Sequence, residues 1–208
     1  MDDYETRTES ELLKKAWRNE KAAPEILQFE ADLVERSRQL VQLMEETVVE
    51  YTSNVVDPLT VSLYQMDLDR TMYLLRSYLR TRLQKIEKYM LHIKTTPDLW
   101  KRLSIQEMEF THESIKHMQM HLENTVLSKL PDIYQSLLQQ SPISGQDVDM
   151  VPEPQLDAYV ICRSKRFLGS FQLDDRWEET VNIEADDLYA LPYKSIKPLV
   201  ESGQIDLV

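Results

Sequence analysis

The sequence is short of glycine and cysteine, and it has no long apolar run. Its three glycines, Gly145, Gly169 and Gly203, all follow residue 144, so the first 144 residues lack the residue that many tight turns need. A single cysteine, Cys162, excludes an internal disulfide and fits a reducing compartment. No apolar stretch approaches the roughly 18–20 residues of a membrane-spanning helix. The acidic N-terminus, MDDYETRTESELLKK, predicts neither a secretory signal nor a transit peptide.

Charge is distributed unevenly along the 208 residues. The formal net charge is −12, yet residues 63–94 carry +4 and every other part of the chain is acidic. The cations of this basic segment are Arg70, Arg76, Arg80, Arg82, Lys85, Lys88 and Lys94. An acidic chain is a poor general ligand for nucleic acid, because phosphate binding needs a cationic surface. The basic segment therefore needs a separate explanation.

Prolines divide the glycine-free region into lengths that suit helices. The pattern predicts a first helix over Glu9–Ala22, with a capping box made by Thr8 and Glu11. A second helix is predicted to open at Pro24, which suits a first turn. Apolar residues at helical spacing support that second helix, namely Leu33, Leu40, Met44, Val48 and Tyr51.

Two further helices complete the predicted bundle. The third runs from about Leu59 to Ile93, and its apolar stripe consists of Leu68, Met72, Leu75, Leu79, Leu83, Ile86 and Met90. The fourth begins at Ser104, with Glu107 completing a second capping box, and runs to Pro131. Short loops between such helices are typical of a helical bundle.

The composition changes after residue 135. Residues 136–150 have the proline, glycine and acid content of a linker. Short β-like runs follow, AYVICRS, FLGSFQL and ETVNIE, and then a short helix, KSIKPLVESG, which Gly203 is predicted to cap in the left-handed conformation. The fold class is therefore α+β: a mainly helical domain over 1–135, a linker over 136–150 and a small β-rich domain over 151–208.

The sequence offers no catalytic constellation. It has no phosphate-binding glycine loop and no G-x-S-x-G, and Cys162 has no histidine near it in sequence. His117 and His121 have the i, i+4 spacing of a metal pair, but no third ligand accompanies them. We therefore predict no catalytic residue, no metal site, no cofactor and no enzymatic activity.

Two explanations of the basic segment stay open on pattern alone. Its arginines could fork onto carboxylates of a partner protein, or they could pair with acids of the same chain inside the bundle. A DNA-contacting face is a third, weaker alternative. The candidate interface residues on this helix are Arg76, Tyr78, Leu79, Arg80, Arg82, Lys85, Ile86 and Lys88. In the C-terminal module the candidates are Ile196, Leu199, Ile205 and Leu207, with the last two pointing inward from a closing strand.

Several sequence blocks carry a family resemblance. The core block is YLLRSYLRTRLQKIEKY. The other blocks keep the order and spacing of the same family pattern, and they are LLKKAWRNEKAAPEIL, VSLYQMDLDR, VPEPQLDAYVICR and PYKSIKPLVESGQIDLV. Together they resemble the Sld-five family of GINS subunits. The resemblance implies a helical A domain, a β-rich B domain and a heterotetramer with three Psf subunits. It also implies a nuclear, non-catalytic scaffold.

Within the replicative CMG helicase, the resemblance implies that this scaffold joins the MCM ring and the Cdc forty-five protein. It further implies polymerase or adaptor contacts, weak or indirect contact with DNA, and no membrane association. Two rival functions remain open: a stand-alone helical adaptor, and a nucleic-acid-binding module that uses the basic helix over 68–90. A metal-dependent enzyme is the third and weakest alternative, because only the pair His117 and His121 favours it.

Overall fold

The structure is a computed structural model that describes residues 8–54, 57–140, 150–172 and 180–208. Most of the predicted linker, residues 141–149, lies outside the described residues. The helices are α1 (Glu9–Ala22), α2 (Ala31–Ser53), α3 (Pro58–Thr95), α4 (Pro97–Trp100), α5 (Ile105–Thr125) and α6 (Tyr193–Glu201). The strands are β1 (Tyr159–Ser164), β2 (Gly169–Gln172), β3 (Thr180–Ile183), β4 (Leu188–Pro192) and β5 (Ile205–Leu207). The predicted α+β class is confirmed.

Capping boxes start two of the helices, as the sequence predicts. At α1, the Thr8 hydroxyl accepts from the Glu11 amide at 3.4 Å, and the Glu11 carboxylate accepts from the Thr8 amide at 3.3 Å. The same reciprocal pair of bonds joins Ser104 and Glu107 at the start of α5. Each box pairs backbone donors that a helix start leaves without intrahelical acceptors, so both starts are set locally.

The second helix begins later than the proline suggests. α2 starts at Ala31, and residues Glu25–Phe29 have no regular secondary structure, so the prediction of a helix opening at Pro24 is wrong. The backbone carbonyls of Glu25, Ile26 and Leu27 bind side chains of other elements instead of amides of a first helical turn. Tertiary contacts thus override the local preference for a helix.

The fourth predicted helix ends earlier than expected, and one helix was not predicted. α5 stops at Thr125, and the residues up to Pro131 include only a 3₁₀ turn, Leu127–Lys129. Val126 and Leu130 are exposed, so no packing supports a continued helix there. The unpredicted α4 has four residues, too few for an apolar period to show in the sequence.

α3 buries a face that is rotated from the predicted stripe. Leu68, Leu75 and Ile86 are buried as expected, but Leu83 is exposed. Its place is taken by polar side chains that have partners inside the chain, Thr71, Tyr78 and Arg82. A buried polar group is tolerated where it is hydrogen-bonded, so a prediction based only on apolar residues does not locate the buried face of α3 correctly.

The chain divides into two compact units. The described residues of the first unit are those of α1, α2, α3 as far as Thr81, and the C-terminal module from Leu156. The second comprises Glu25–Phe29 and Arg82–Gln155. The core of the second unit contains Ile26, Ile86, Ile93, Leu99 and Leu103, with Tyr89, Trp100, Met108 and Phe110 packed against it. The first compact unit therefore combines helices from the N-terminal part of the chain with the β-rich C-terminal module.

The C-terminal module contains a three-stranded antiparallel sheet with the order β4-β1-β5 and a separate β2-β3 hairpin. Along β1, Val160, Cys162 and Ser164 are buried while the alternate residues face outward. Gly203 follows α6 with φ of +74°, which confirms the predicted left-handed cap. β4 was not predicted, because LYALP is short and ends in proline.

No helix among the described residues is long and apolar enough to cross a membrane.

Candidate functional site

Arg82 on α3 is at the centre of a buried polar cluster in the second unit. Its side chain is 0% exposed. The guanidinium Nε lies 2.7 Å from Glu107 Oε1, and Nη2 lies 3.0 Å from Glu107 Oε2, which makes a forked ion pair. Nη2 also donates to the Arg102 carbonyl at 2.9 Å, and Nη1 donates to the Leu27 carbonyl at 2.8 Å. The planar fork of arginine suits this set of acceptors, and lysine could not reproduce it.

Glu107 serves the cluster and its own helix at once. Its Oε2 accepts from the Ser104 amide at 2.8 Å, which closes the capping box at the start of α5. The same carboxylate receives Arg82, so a negative charge lies both at a helix N-terminus and against a guanidinium. The start of α5 is therefore bound directly to α3.

Three cations hold the segment Glu25–Phe29, which we call the strap. Lys85 Nζ donates to the Glu25 carbonyl at 2.8 Å, Arg102 Nη1 to the Ile26 carbonyl at 3.0 Å, and Arg82 Nη1 to the Leu27 carbonyl. Three successive carbonyls are thus each bound by a different cation. Because this segment has no regular secondary structure, these donors replace those that a helix would supply.

Further contacts fasten both ends of the strap. The Phe29 amide donates to the Arg102 carbonyl at 3.0 Å, and the Phe29 ring lies under the Arg82 guanidinium, 5.2 Å from Cζ to the ring centroid. The Glu25 carboxylate is buried 3.3 Å from Arg102 Nη1. The cluster therefore ties three elements of one unit together, and its groups bind backbone and carboxylate rather than a ligand.

The structure separates the candidate residues of the basic helix. Tyr78, Arg82 and Ile86 are buried within the chain, and the Tyr78 hydroxyl accepts from the Glu30 amide at 3.3 Å. These three present no surface to a partner, which corrects their choice as interface residues; their polar groups and apolar area are used internally. Leu79 and Lys85 are half-buried, whereas Arg76, Arg80 and Lys88 are exposed. An interface role for the exposed residues stays a prediction.

The C-terminal candidates also lie mainly inside the chain. Ile196, Ile205 and Leu207 are buried, and Leu199 is half-buried, so the first three are corrected from interface to core residues. Ile205 and Leu207 point inward, as the sequence predicts. The Leu207 amide donates to Asn19 Oδ1 of α1 at 2.8 Å, so the last strand is bound to the first helix.

A three-membered charge cluster adds to this contact. Asp206 Oδ1 lies 2.9 Å from Lys15 Nζ and 3.0 Å from Lys165 Nζ. Partial burial and the neighbouring Lys15 lower the pKa of Lys165, while Asp206 opposes that change. One carboxylate shared by two ammonium groups binds β5 to α1 and to the end of β1.

Sequence reasoning missed Glu25 and Arg102 and identified only the capping role of Glu107. Glu25 lies within the block LLKKAWRNEKAAPEIL, which also contains the buried Glu20. That block also carries Lys14, Lys15, Arg18 and Lys21, so its acids gave no local signal for buried pairing. Arg102 had none, since binding a backbone carbonyl 76 residues away leaves no local pattern.

Neither the histidines nor the cysteine forms a reactive site in the described residues. His117 and His121 are exposed on α5, and within those ranges no group of three or more His, Cys, Asp or Glu could hold a metal ion. His112 lines an open hollow of about 520 Å³ together with Trp100, Met108, Glu109 and Glu113. Burial raises the pKa of the Cys162 thiol to about 11, so the nucleophilic thiolate is disfavoured.

Two family models match the chain in the regions just described. One, described as the GINS complex protein helical bundle domain, matches residues 57–126, and the other, the DNA replication complex GINS protein SLD5 C-terminus, matches residues 154–208. A protein of Arabidopsis thaliana named DNA replication complex GINS protein SLD5 is 54% identical, with 99% of this chain and 95% of the relative covered. The chain belongs to the GINS SLD5 family.

More distant SLD5 proteins match over nearly the same length. The Homo sapiens protein of that name is 33% identical, covering 95% of this chain and 88% of the relative. The Dictyostelium discoideum protein is 31% identical, covering 94% and 90%. These matches confirm the resemblance read from the sequence blocks. Arg82 and Glu107 lie within the helical-bundle match, whereas the strap lies outside both SLD5-family models.

Proposed function

We propose that this SLD5-family chain is a non-catalytic structural subunit of the GINS complex and acts in DNA replication. The 54% identity with the Arabidopsis thaliana SLD5 protein, over 99% of the chain, supports the complex. The observation that supports a structural role is the Arg82 cluster. Its charged side chains bind the chain's own carbonyls and the Glu107 carboxylate, and so hold the fold together.

The finer proposal concerns partners and location. We propose a heterotetramer with the three Psf subunits, which joins the MCM ring and the Cdc forty-five protein in the CMG helicase in the nucleus. Polymerase or adaptor contacts belong to the same proposal. Large apolar side chains left exposed on several elements support it, among them Leu59, Met66, Ile105, Tyr159 and Phe167. A chain with that much exposed apolar surface is expected to bury part of it against other proteins.

The domain proposal follows the chain order. We propose that residues 1–135 form a helical A domain and residues 151–208 a β-rich B domain, joined by the linker 136–150. Two separate family models match residues 57–126 and 154–208, which supports a division of the chain into two domains. Contact between β5 and α1 means that the two domains need not fold independently of one another.

Co-expression tests the proposed function. The chain is produced with the three Psf subunits of the same organism, and native mass is measured after purification through a tag on one Psf subunit. We expect a complex with one copy of each subunit, and poorer recovery of this chain when it is expressed alone. A stable monomer that ignores all three Psf subunits would overturn the proposal and favour a stand-alone adaptor.

Two activity measurements complete the test. Tight DNA binding by the isolated chain, with a steep dependence on salt, would favour the nucleic-acid-binding alternative. The burial of Arg82 and the binding of Lys85 to the strap argue against it, because neither is available to phosphate. ATP hydrolysis that copurifies with the chain and is lost in His117→Ala or His121→Ala would contradict the non-catalytic role.

A further inference from the structure

One side of α3 carries an exposed apolar seam near its N-terminal end. The seam consists of Leu59, Leu63, Met66, Arg70 and Tyr73, whose steps of four, three, four and three residues place them on one helix face. The four large apolar members are each more than half exposed, from 57% at Leu63 to 66% at Leu59. These are the steps that a and d positions make in a coiled coil, so this face has the form of a helix-packing surface.

The described part of the chain leaves the seam uncovered, since its large apolar members stay more than half exposed. The buried face of the same stretch of α3, which includes Leu68, Thr71 and Leu75, points the opposite way. Tyr51 of α2 contacts this part of α3, where its ring meets Tyr64 edge-on with centroids 5.2 Å apart. Tyr64 follows Leu63 by one residue, about 100° round the helix, so this contact is made beside the seam.

Charge along the seam indicates the chemistry of its partner. The exposed Asp67 and Asp69 flank it on either side, at the positions that correspond to e and g in a coiled coil, and Arg70 occupies an a-like position within it. No lysine or arginine lies between Arg38 and Arg70, so the surroundings are acidic. A complementary helix would carry basic residues beside the two aspartates and a carboxylate facing Arg70.

A second copy of this chain does not satisfy those requirements. A parallel pair would set Arg70 against Arg70, and an antiparallel pair centred on Met66 would set Asp67 against Asp67. Like charges so placed repel and oppose pairing. The seam also spans about two heptads, fewer than the roughly three to four over which a coiled-coil pattern is diagnostic. It therefore suits one part of a larger interface with a different protein.

We propose that this seam packs against an amphipathic helix of another GINS subunit, whose apolar stripe is flanked by lysine or arginine and carries an acid opposite Arg70. The identity of the partner as a GINS subunit rests on the proposed function. The surface itself differs from the exposed cations Arg76, Arg80 and Lys88, which lie further along the helix.

The test uses the full chain co-expressed with the three Psf subunits. Met66→Glu places a charge in the seam, and Val49→Glu on α2 is its matched control, since the two positions are 65% and 66% exposed. We expect Met66→Glu to lower tetramer recovery at least about tenfold and Val49→Glu to change it less than about twofold, with unaltered circular dichroism in both. Asp67→Lys with Asp69→Lys should also reduce recovery, through repulsion of the basic partner.

The outcomes distinguish this inference from the proposed function. If the wild-type chain forms no complex, the proposed function fails and the inference fails with it. If the wild-type complex forms and Met66→Glu recovers it unchanged, only the inference is overturned. A benzophenone side chain introduced at position 66 gives a second readout: cross-linking to a Psf subunit supports the seam. Cross-linking to a second copy, or none in an intact tetramer, overturns it.

Discussion

Arg82 and Glu107 form a forked ion pair inside the chain, with Nε–Oε1 at 2.7 Å and Nη2–Oε2 at 3.0 Å. The pair joins α3 to the start of α5 although 25 residues separate its members. Because Arg82 also binds the Leu27 and Arg102 carbonyls, each of its three side-chain nitrogens donates to a partner within the chain. The most deeply buried cation of the basic segment is thus a structural residue of the SLD5-family fold.

Breaking this pair from one side should be costly. We expect Arg82→Met to lower the free energy of unfolding by about 3–5 kcal/mol, because Glu107 and two carbonyls lose their buried donor. Arg82→Met with Glu107→Leu should cost less than the sum of the two single changes. Urea unfolding of the full chain measures both effects. Arg80→Met, at an exposed position, is the control and should stay within about 0.5 kcal/mol. Full additivity would contradict the coupling.

The exposed cations give a prediction about assembly. Arg80→Glu should reduce the yield of the tetramer with the Psf subunits, if the exposed part of the basic helix faces a partner. Arg38→Glu on α2 is the matched control, since Arg38 is exposed and lies 3.9 Å from Glu35 of its own helix. Native mass and melting temperature measure the outcome. Assembly that survives reversal of Arg76, Arg80 and Lys88 while DNA affinity collapses would favour the nucleic-acid alternative.

Removing the last strand should weaken the complex. Deletion of residues 204–208 takes away β5, which pairs with β1 and binds α1 through Asn19 and Lys15. We expect α3 and α5 to stay folded, while recovery of the tetramer with the Psf subunits falls. Asn19→Ala in the full-length chain separates the contact of β5 with α1 from the pairing of β5 with β1. It removes only the hydrogen bond between Leu207 and Asn19 and should lower the free energy of unfolding by about 1–3 kcal/mol. Recovery and melting temperature equal to wild type would withdraw the role of the strand in assembly.

The Cys162 thiol should be inert in the folded chain. Burial raises its pKa from 9.0 to about 11, and the folded value lies above the unfolded one. Its contribution to stability is therefore complete below pH 9 and is lost as the pH rises towards 11. We expect no reaction with a disulfide reagent at pH 8 until urea is added. Cys162→Ala should remove that part of the alkaline loss, and rapid labelling of the folded chain would contradict the assignment.

Local sequence predicted the starts of α1 and α5 and most of the β-rich module. The capping boxes of Thr8 with Glu11 and Ser104 with Glu107 each act over three residues, so their signals are complete in a short stretch. The alternation along β1 and the left-handed Gly203 are equally local. The family resemblance was also readable, because the blocks that carry it are long and ordered.

Tertiary structure decided the use of the basic residues. Sequence alone left Arg82 equally suited to pairing with an internal acid or with a partner protein. It also wrongly predicted that Glu25–Phe29 belongs to the start of a helix. The acceptors that settle both questions lie far away in the chain, 55 residues for Arg82 with Leu27 and 60 for Lys85 with Glu25. The local sequence around a cation does not indicate which distant acceptor it will bind in the folded chain. Capping therefore determined where α1 and α5 begin, and only packing determined which charges the helices bury.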